Sequence, residues 1–181
     1  MTSESVVAII LARGGSKGIP KKNVRLFGGS PLVEWCLNAA LKSQKIDSVI
    51  LSSDSEEILD CGRKLNCEIH KRSEEHSQDT TTSEESMLAV INEHPIAKSA
   101  DVFILVQPTS PFTKPEDFDA ALDLFELGKY DSLVTGVSDH SFSWEIDEAG
   151  NATPKYNPKS RPRRQDMKLS LIHISEPTRP Y

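Results

Sequence analysis

The sequence lacks the features that mark secreted, membrane-spanning and nucleic-acid-binding proteins. It has only three cysteines, Cys36, Cys61 and Cys67, and no CxxC pair, so neither a disulfide framework nor a zinc site is expected. No apolar run approaches the roughly 20 residues that are needed to cross a bilayer. The net charge of −6 gives no overall attraction to nucleic acid, so any anion-binding site must be local.

Targeting signals and the common phosphate-binding patterns are missing as well. The segment Met1–Ser5 is polar and lacks the apolar stretch of a signal peptide, which predicts an intracellular location. The chain has neither a Walker A sequence nor a GxGxxG dinucleotide fingerprint. A hydrophobic content of 37% over 181 residues is instead typical of a globular domain.

Apolar runs alternate with stretches of helical periodicity along most of the chain. Strands are predicted at Val6–Ala12, Asp47–Ser53, Cys67–His70, Asp101–Val106 and Ser132–Val137. Helices are predicted at Pro31–Lys42, from Asp54, at Thr82–His94 and from Thr113, with Leu41 and Leu88 among the residues on their inner faces. This alternation predicts an α/β fold whose mostly parallel sheet is covered on both faces. After Val137 the periodicity ends, which predicts an extension, such as a β-ribbon or arm, over residues 138–168.

The most informative motif is the glycine-rich, basic loop Leu11–Asn23, which follows the first predicted strand. Its three glycines allow a tight turn that brings backbone N–H groups close to an anion. Arg13, Lys17, Lys21 and Lys22 add positive charge within the same stretch. Together these features favour a phosphate chain as the ligand. A solvated basic turn at the surface is the alternative reading of this loop taken alone.

Four further polar motifs each have an ordinary explanation when they are considered singly. Ser52–Ser55 is more typical of a helix cap than of a ligand contact. Arg72 and the hydroxyl-rich run Asp79–Ser83 could contact a base or ribose, or could simply form a polar N-cap. Gln107–Pro111 is either a ligand-contacting turn or a rigid loop. Ser160–Asp166 has three arginines that suit a carboxylate or phosphate, a nuclear-import signal or a solvated charge run.

In their order and spacing, however, the five motifs resemble one family, the acylneuraminate cytidylyltransferases. The motifs are LARGGSKGIPKKN, SSDS, RSEEHSQD with its threonine run, QPTSP and RPRRQD, and the last is most similar to animal-type members. The resemblance extends from about Val6 to Met167. It implies a Rossmann-like nucleotidyltransferase three-layer sandwich, a homo-oligomer (dimer or tetramer), Mg²⁺ as cofactor and a location in the nucleus or cytoplasm. The implied reaction joins CTP to an acidic nine-carbon sugar, a sialic acid, and releases pyrophosphate.

The resemblance also assigns expected roles to individual residues. Lys22 and Arg163 are the expected catalytic residues, with Lys22 also near the triphosphate. The expected substrate-binding residues are Arg13, Lys17, Asn23, Arg72, Thr81, Ser83, Gln107 and Arg164. Of these, Arg13 and Lys17 lie in the phosphate loop, and Asn23 is expected to contact the nucleotide. Arg72, Thr81 and Ser83 lie in the segment expected around cytosine and ribose, and Gln107 is expected to contact the sugar. Arg164 and Arg161 are weaker candidates for contact with the acidic sugar.

The C-terminal residues depart from the family pattern. The family continues after RRQD to an Asp-x-Asp pair that binds metal, but this chain ends in Leu169–Tyr181, which resembles a translated sequencing adapter. We therefore expect residues 1–168 to be an incomplete cytidylyltransferase domain and residues 169–181 to be a non-native tail. No metal ligand is assigned, and the chain itself is expected to bind CTP weakly and to turn over little.

Two other readings of the sequence stay open. The acceptor could be a different acidic sugar, such as KDO, KDN or legionaminic acid, and a panel of sugars would separate these possibilities. The chain could also be a non-catalytic nucleotide-binding module. A nucleic-acid binder is the weakest alternative, because the basic residues form two short clusters on an acidic chain without interleaved aromatic residues.

Overall fold

The structure is a computed structural model that describes residues 4–16, 18–73, 75–78, 80–139, 144–149, 151–154 and 170–178. These residues form two compact units. The first unit comprises the described residues up to Thr135 together with 174–178, and the second comprises those between 136 and 173. In the described part of the chain, no helix is both long enough and apolar enough to span a membrane.

The elements follow the alternating order that the sequence predicts. The strands are β1 (Val6–Leu11), β2 (Leu26–Phe27), β3 (Ser30–Pro31), β4 (Ser48–Ser53), β5 (Glu68–Lys71), β6 (Val102–Val106), β7 (Thr135–Asp139), β8 (Trp144–Ile146), β9 (Ala152–Pro154) and β10 (Ser170–Thr178). The α-helices are α1 (Leu32–Leu41), α2 (Glu56–Lys64), α3 (Ser83–Glu93), α4 (Pro95–Lys98) and α5 (Pro115–Gly128). Two 3₁₀ turns, Lys22–Val24 and Glu75–Ser77, lie in the loops after β1 and β5.

Four parallel strands form the main sheet of the first unit, in the order β5-β4-β1-β6. The central strand is β1, whose Ala8 pairs with Val49 of β4 on one side and with Ile104 of β6 on the other. Because successive β-carbons point to opposite faces of a sheet, the side chains of β1 divide between two cores. Val6, Ala8 and Ile10 enter one core, and Val7 and Ile9 enter the other.

Helices cover both faces of this sheet, as predicted. The larger core includes Leu37 of α1, Ile58 of α2 and Phe125 of α5. The smaller core includes Val90 of α3 and Ala97 of α4. The predicted α/β architecture with a mostly parallel sheet is therefore confirmed.

The predicted inner faces were wrong at two leucines. Leu41 is 40% exposed and Leu88 is 56% exposed, although their helices begin and end close to the predicted bounds. Leu41 is the last residue of α1, so no further turn of the helix follows it. Leu88 directly follows the buried Met87 and, at 3.6 residues per turn, points about 100° away from it toward solvent.

The segment 169–181, which was predicted to be a non-native tail, includes a strand. Part of this segment, Ser170–Thr178, is strand β10, and its second half pairs antiparallel with β6, from Ser175 opposite Val106 to Thr178 opposite Phe103. The edge of a sheet presents unpaired N–H and C=O groups that can accept another strand. The segment contains leucine and two isoleucines among its first five residues, which favours strand. Its proposed origin as an adapter sequence stays a prediction.

The second unit contains the β-ribbon that was predicted for the extension. Strands β8 and β9 form an antiparallel hairpin, in which Trp144 lies opposite Pro154 and Ile146 opposite Ala152. The side chain of Asp147 closes the turn, because its Oδ1 accepts hydrogen bonds from the backbone N–H groups of Ala149 and Asn151 at 3.0 and 2.8 Å. A carboxylate that satisfies two loop N–H groups in this way is a common means of fixing a turn.

Candidate functional site

A cavity of about 640 Å³ opens at the carboxyl ends of the parallel strands in the first unit. Ligands of parallel α/β proteins collect at this edge of the sheet, because the loops that follow the strands meet there. The lining combines the loops after β1, β5 and β6 with the start of α3. It consists of Leu11, Arg13, Ser16, Gly18, Ile19, Lys22, Asn23, Arg72, Thr81, Thr82, Ser83, Ser86, Leu105, Gln107, Pro108 and Thr109.

The loop after β1 is held in shape by two polar contacts. The backbone N–H of Gly14 donates to Asp54 Oδ1 at 2.8 Å, and Asn23 Nδ2 donates to the backbone O of Arg13 at 2.9 Å. A β-carbon on Gly14 would lie 3.0 Å from Ser55 Cβ, so this glycine allows the loop to approach the start of α2 closely. The start of the loop is therefore fixed to the residue that follows β4, and the two ends of the loop are fixed to each other.

Asp54 holds this loop and does not cap the next helix. Helix α2 has Ser55 as its N-cap residue, and no side chain makes a capping hydrogen bond there. The prediction that an aspartate or serine of SSDS caps the helix is therefore confirmed for the position of Ser55, but no side-chain capping hydrogen bond accompanies it. The carboxylate of Asp54 instead accepts a hydrogen bond from Gly14, which lies 40 residues earlier in the chain. A local motif could not indicate this contact, because it depends on the parallel pairing of β1 with β4.

Three cationic side chains line the cavity: Arg13, Lys22 and Arg72. Arg72 is only 7% exposed, and among the described residues it forms no salt bridge. Burial lowers the pKa of the Arg72 guanidinium, the nearby carboxylate of Asp54 acts in the opposite direction, and the charge of Arg13 lowers the pKa further. An arginine keeps its charge in proteins nonetheless. The cavity thus has a positively charged wall.

The guanidinium of Arg72 is anchored by one neutral residue. Its Nε donates to Ser52 Oγ at 3.3 Å, and its Nη2 donates to the backbone O of Ser52 at 3.1 Å. Ser52 is fully buried at the end of β4. Burying a charge without a counter-ion is costly, so a buried arginine beside a cavity favours binding of an anion there.

Asn23 presents the opposite polarity. It is 4% exposed, and its Oδ1 has no hydrogen-bond partner in the described part of the protein. The orientation of the amide is fixed, because exchanging its O and N atoms would place Oδ1 against the carbonyl of Arg13. The cavity wall therefore carries an acceptor that lacks a donor.

The start of α3 supplies hydroxyl groups. Thr82 and Glu85 form the capping box that was one of two predicted alternatives: Glu85 N donates to Thr82 Oγ1 at 3.1 Å, and Thr82 N donates to Glu85 Oε2 at 2.8 Å. The Thr81 hydroxyl donates to the backbone O of Glu75 at 3.3 Å. One turn into the helix, Ser86 is buried and also lines the cavity.

The loop after β6 forms the remaining wall. Gln107 is half-buried, and the Thr109 hydroxyl lies 3.5 Å from Gln107 Oε1 as a donor. The backbone N–H of Ser110 donates to the carbonyl of Gln107 at 3.1 Å, which makes this segment a tight turn. Gln107 therefore directly follows β6 at the edge of the sheet, as predicted.

The structure brings together seven of the residues that were predicted to act at the site. They are Arg13, Lys22, Asn23, Arg72, Thr81, Ser83 and Gln107, and all of them line the one cavity. Lys17, Arg161, Arg163 and Arg164 lie outside the described residues. Sequence reasoning missed Ser86, although its spacing of three residues from Ser83 places both on one side of α3. It also missed the unpartnered oxygen of Asn23, which no sequence pattern reveals.

The described residues do not provide a metal centre. Among them, no group of three or more His, Cys, Asp or Glu side chains is arranged to hold a metal ion. One oxygen of Asp54, the carboxylate that follows β4, already accepts a hydrogen bond from Gly14. The residues of this cavity wall therefore do not fit a protein-held Mg²⁺.

Comparison with known proteins gives one consistent family. A family model described as Cytidylyltransferase matches residues 7–154. The chain is 39% identical over 173 residues to N-acylneuraminate cytidylyltransferase A of Danio rerio, which covers 93% of this chain and 40% of the relative. It is 34% identical over 153 residues to the CMP-N,N'-diacetyllegionaminic acid synthase of Legionella pneumophila, covering 81% of this chain and 65% of that one.

A solved structure shows the same fold. The synthetase of CMP:2-keto-3-deoxy-manno-octonic acid, complexed with CTP, matches with a TM-score of 0.66 and 18% sequence identity. The match covers 97% of this chain and 74% of that one. The chain spans less than half the length of the Danio rerio relative.

Proposed function

The chain belongs to the cytidylyltransferase family, and on this premise we propose that it transfers CMP from CTP to a sialic acid, an N-acylneuraminate. The products are CMP-sialic acid and pyrophosphate. The observation that carries the proposal is a pair of features of one cavity: among the described residues, the buried guanidinium of Arg72 forms no salt bridge and Asn23 Oδ1 has no hydrogen-bond donor. A nucleoside triphosphate supplies both an anion and a donor.

Charge supports the triphosphate half of this proposal. Arg13 and Lys22 come from the glycine-rich loop, and Arg72 comes from the end of β5, so three cations converge from two segments. Holding like charges together around a cavity costs free energy unless an anion joins them. The cavity volume of about 640 Å³ also falls in the range of roughly 300–1,000 Å³ that is usual for small-molecule sites.

Asn23 supports the nucleoside half. A phosphate at neutral pH offers mainly acceptors, so it cannot satisfy Asn23 Oδ1. The ribose hydroxyls and the cytosine amino group of CTP are donors. Hydroxyls of Thr81, Ser83 and Ser86 line the same cavity, and they can donate to a base or a ribose.

The proposed reaction is one in-line displacement at the α-phosphorus. The anomeric oxygen of the sugar forms a bond to the α-phosphorus, the bond from that phosphorus to the bridging β-oxygen breaks, and pyrophosphate leaves. The proton of the anomeric hydroxyl passes to solvent or to a base. Such transfers depend on positioning and charge neutralisation, which is the role proposed for Lys22 and Arg13 toward the phosphates. Arg163 is the residue proposed to meet the acidic sugar.

The identity of the acidic sugar is the part with a specific rival. The relatives include a synthase whose name specifies CMP-N,N'-diacetyllegionaminic acid, and a structural neighbour is named for 2-keto-3-deoxy-manno-octonic acid. The higher identity to the Danio rerio N-acylneuraminate enzyme favours sialic acid. Gln107 lines the cavity on the β6 side and is the proposed contact to the sugar.

Assembly, location and metal use are also proposals that rest on the family resemblance. We propose a homo-oligomer, dimer or tetramer, in the nucleus or cytoplasm, with Mg²⁺ arriving on the nucleotide. The described side chains do not form a site for the ion, so no step is assigned to it. Light scattering would measure the mass in solution, and chelation by EDTA would test the metal.

The decisive experiment combines calorimetry with a pyrophosphate assay. CTP is compared with ATP, GTP and UTP for binding to the chain, and pyrophosphate release is then measured with N-acetylneuraminate, KDN, KDO and legionaminic acid in turn. The same assay on the full-length protein that contains this sequence gives the turnover expected of the complete enzyme. We expect selective CTP binding and release with N-acetylneuraminate. Binding of CTP without release by the full-length protein would instead identify a non-catalytic module, and equal binding of all four nucleotides would refute the assignment.

A further inference from the structure

A chain of four polar side chains leads from the surface to the cavity. Glu93 Oε2 lies 3.0 Å from His70 Nε2, and His70 Nδ1 lies 3.0 Å from Ser52 Oγ. Ser52 Oγ in turn accepts a hydrogen bond from Arg72 Nε at 3.3 Å. The inner members are buried: Ser52 is 0%, His70 6% and Arg72 7% exposed. The outer carboxylate of Glu93 is half exposed.

The serine, histidine and glutamate of this chain do not form a nucleophilic triad. Ser52 is completely buried within β4, so no substrate can reach its Oγ. The Oγ also accepts from Arg72, which withdraws electron density from it. The chemistry therefore has to act at the far end of the chain, on Arg72, which lines the cavity.

We propose that Glu93 and His70 are positioning residues that fix the Arg72 guanidinium through the hydroxyl of Ser52. A carboxylate only accepts hydrogen bonds, so Glu93 requires the proton of a neutral His70 to sit on Nε2. His70 Nδ1 is then an acceptor and takes the hydroxyl hydrogen of Ser52. Because the hydroxyl hydrogen of Ser52 is donated to His70, a lone pair of Ser52 Oγ is available to accept from Arg72 Nε–H.

This polarity matters because both moving parts of the chain would otherwise be free to rotate. A hydroxyl hydrogen can point in several directions, and an arginine side chain has many rotamers, whose loss is entropically costly. When Glu93 fixes the tautomer of His70, the ring nitrogen Nδ1 removes that freedom, in the same way that outer partners orient the ligands of metal sites. The second bond of Arg72, to the backbone O of Ser52, sets the plane of the guanidinium.

Other charged groups near His70 are engaged elsewhere. His94 Nε2 faces Glu68 Oε2 at 3.8 Å, which is a separate pair at the ends of α3 and β5. Lys71, the residue after His70, points to Glu56 at 2.7 Å. Glu93 is thus the carboxylate that sets the tautomer of His70, and its exposure makes it a convenient residue to replace.

The direct test is NMR of the purified chain, which needs no ligand. The Arg72 Nε–H resonance is identified by its loss in Arg72→Lys, and the tautomer of His70 is obtained from its ring nitrogen shifts. We expect the Nε2–H tautomer and slow hydrogen exchange at Arg72 Nε–H. Glu93→Ala and His70→Phe should each speed this exchange by about tenfold or more, since outer-shell changes commonly have effects of 10–100-fold.

Two variants separate positioning from a general loss of structure. His70→Asn places an amide oxygen near the position of Nδ1 and should restore much of the protection that His70→Phe removes. Asn92→Ala alters an exposed neighbour of Glu93 on α3 and should leave the exchange unchanged. Unchanged exchange in both Glu93→Ala and His70→Phe, or a His70 proton on Nδ1, would overturn the proposal.

The consequence for activity rests on the proposed function and is measured separately. If the wild-type chain binds CTP, Glu93→Ala should weaken that binding while Asn92→Ala does not. If the wild-type chain does not bind CTP, the proposed function fails, but the exchange and tautomer measurements still decide whether Glu93 and His70 position Arg72.

Discussion

Replacement of Arg72 by methionine should affect stability and ligand binding in opposite directions. The change removes the buried charge and keeps most of the side-chain volume. It breaks two hydrogen bonds to Ser52 that are donated by a charged group and are worth roughly 1.5–3 kcal/mol each. It also removes the cost of burying an unpaired guanidinium, which is of the order of several kcal/mol.

No polar atom of Ser52 is stranded by this substitution. The backbone O of Ser52 still accepts from the N–H of Ala12 at 3.0 Å, and Oγ still contacts His70 Nδ1 at 3.0 Å. The destabilisation that follows when a buried group loses its last partner is therefore absent. We expect the free energy of unfolding of Arg72→Met to fall by no more than about 1 kcal/mol, or to rise.

CTP binding should respond in the other direction. A hydrogen bond from a charged group contributes about 1.5–3 kcal/mol, which corresponds to a roughly 10- to 150-fold higher Kd for Arg72→Met. Urea unfolding and calorimetry in the same buffer measure both quantities. Arg63→Met, which removes an exposed arginine of α2, is the matched control and should leave CTP affinity unchanged. A large loss of stability together with unchanged CTP affinity would show that Arg72 is a structural residue and refute the reasoning.

Three further predictions concern the core, one half-buried histidine and the thiols. Phe125→Ala should lower the free energy of unfolding by about 3–5 kcal/mol because Phe125 is fully buried, whereas Leu127→Ala, at an 84% exposed site, should change it by less than about 0.5 kcal/mol in urea titrations. Burial lowers the pKa of His94, so the unfolded chain binds the proton more readily. Stability should therefore be complete above about pH 6.5 and decline as the pH falls below it, by at most about 1.4 kcal/mol per pH unit, with a shallower decline in His94→Gln. Burial raises the pKa of Cys36 to about 12 and that of Cys67 to about 11, so both should resist a thiol reagent at pH 8 until urea is added; rapid labelling of the native protein would contradict this.

Periodicity predicted the regular elements well because their burial is repetitive. β1, β4 and β6 are buried on both faces, and such strands are nearly continuous apolar runs in the sequence. The helix starting at Pro115 was likewise predictable, since Phe118, Leu122 and Phe125 are spaced to share one face and all are buried. These signals are local, so one sequence is sufficient to detect them.

The hairpin of β2 and β3 was missed because its signal is short. Each strand has only two residues, and the turn depends on Gly28 and Gly29, whose φ angles of 58° and 92° favour glycine. The hairpin is supported from outside, by an edge-to-face contact of Phe27 with Trp35 at 6.0 Å and by the indole N–H, which donates to the carbonyl of Phe27. Such contacts between two side chains leave no periodic pattern in the sequence by which they could be predicted.

The candidate site shows the same division between local and distant information. That polar motifs would gather at one edge of the sheet followed from the parallel topology, and the predicted residues Arg13, Arg72 and Gln107 do line one cavity. The contacts that shape the cavity were beyond sequence reasoning. Asp54 binds Gly14, and His70 binds Ser52, only because neighbouring strands bring them into register.

Because β1 is central in the sheet, it should be locally more stable than the loop that follows it at the cavity. Its amides are bonded to strands on both sides, so their slow hydrogen exchange should report global opening of the first unit. The residues that follow, from Arg13 to Ser16, are held by isolated hydrogen bonds, such as those of Gly14 to Asp54 and of Asn23 to Arg13, and can open at lower free energy. Of the segments at the cavity, β1 should therefore be among the last parts of the unit to open, and the loop from Arg13 to Ser16 among the first. Gentle warming can thus abolish ligand capture reversibly while the sheet beneath it stays intact.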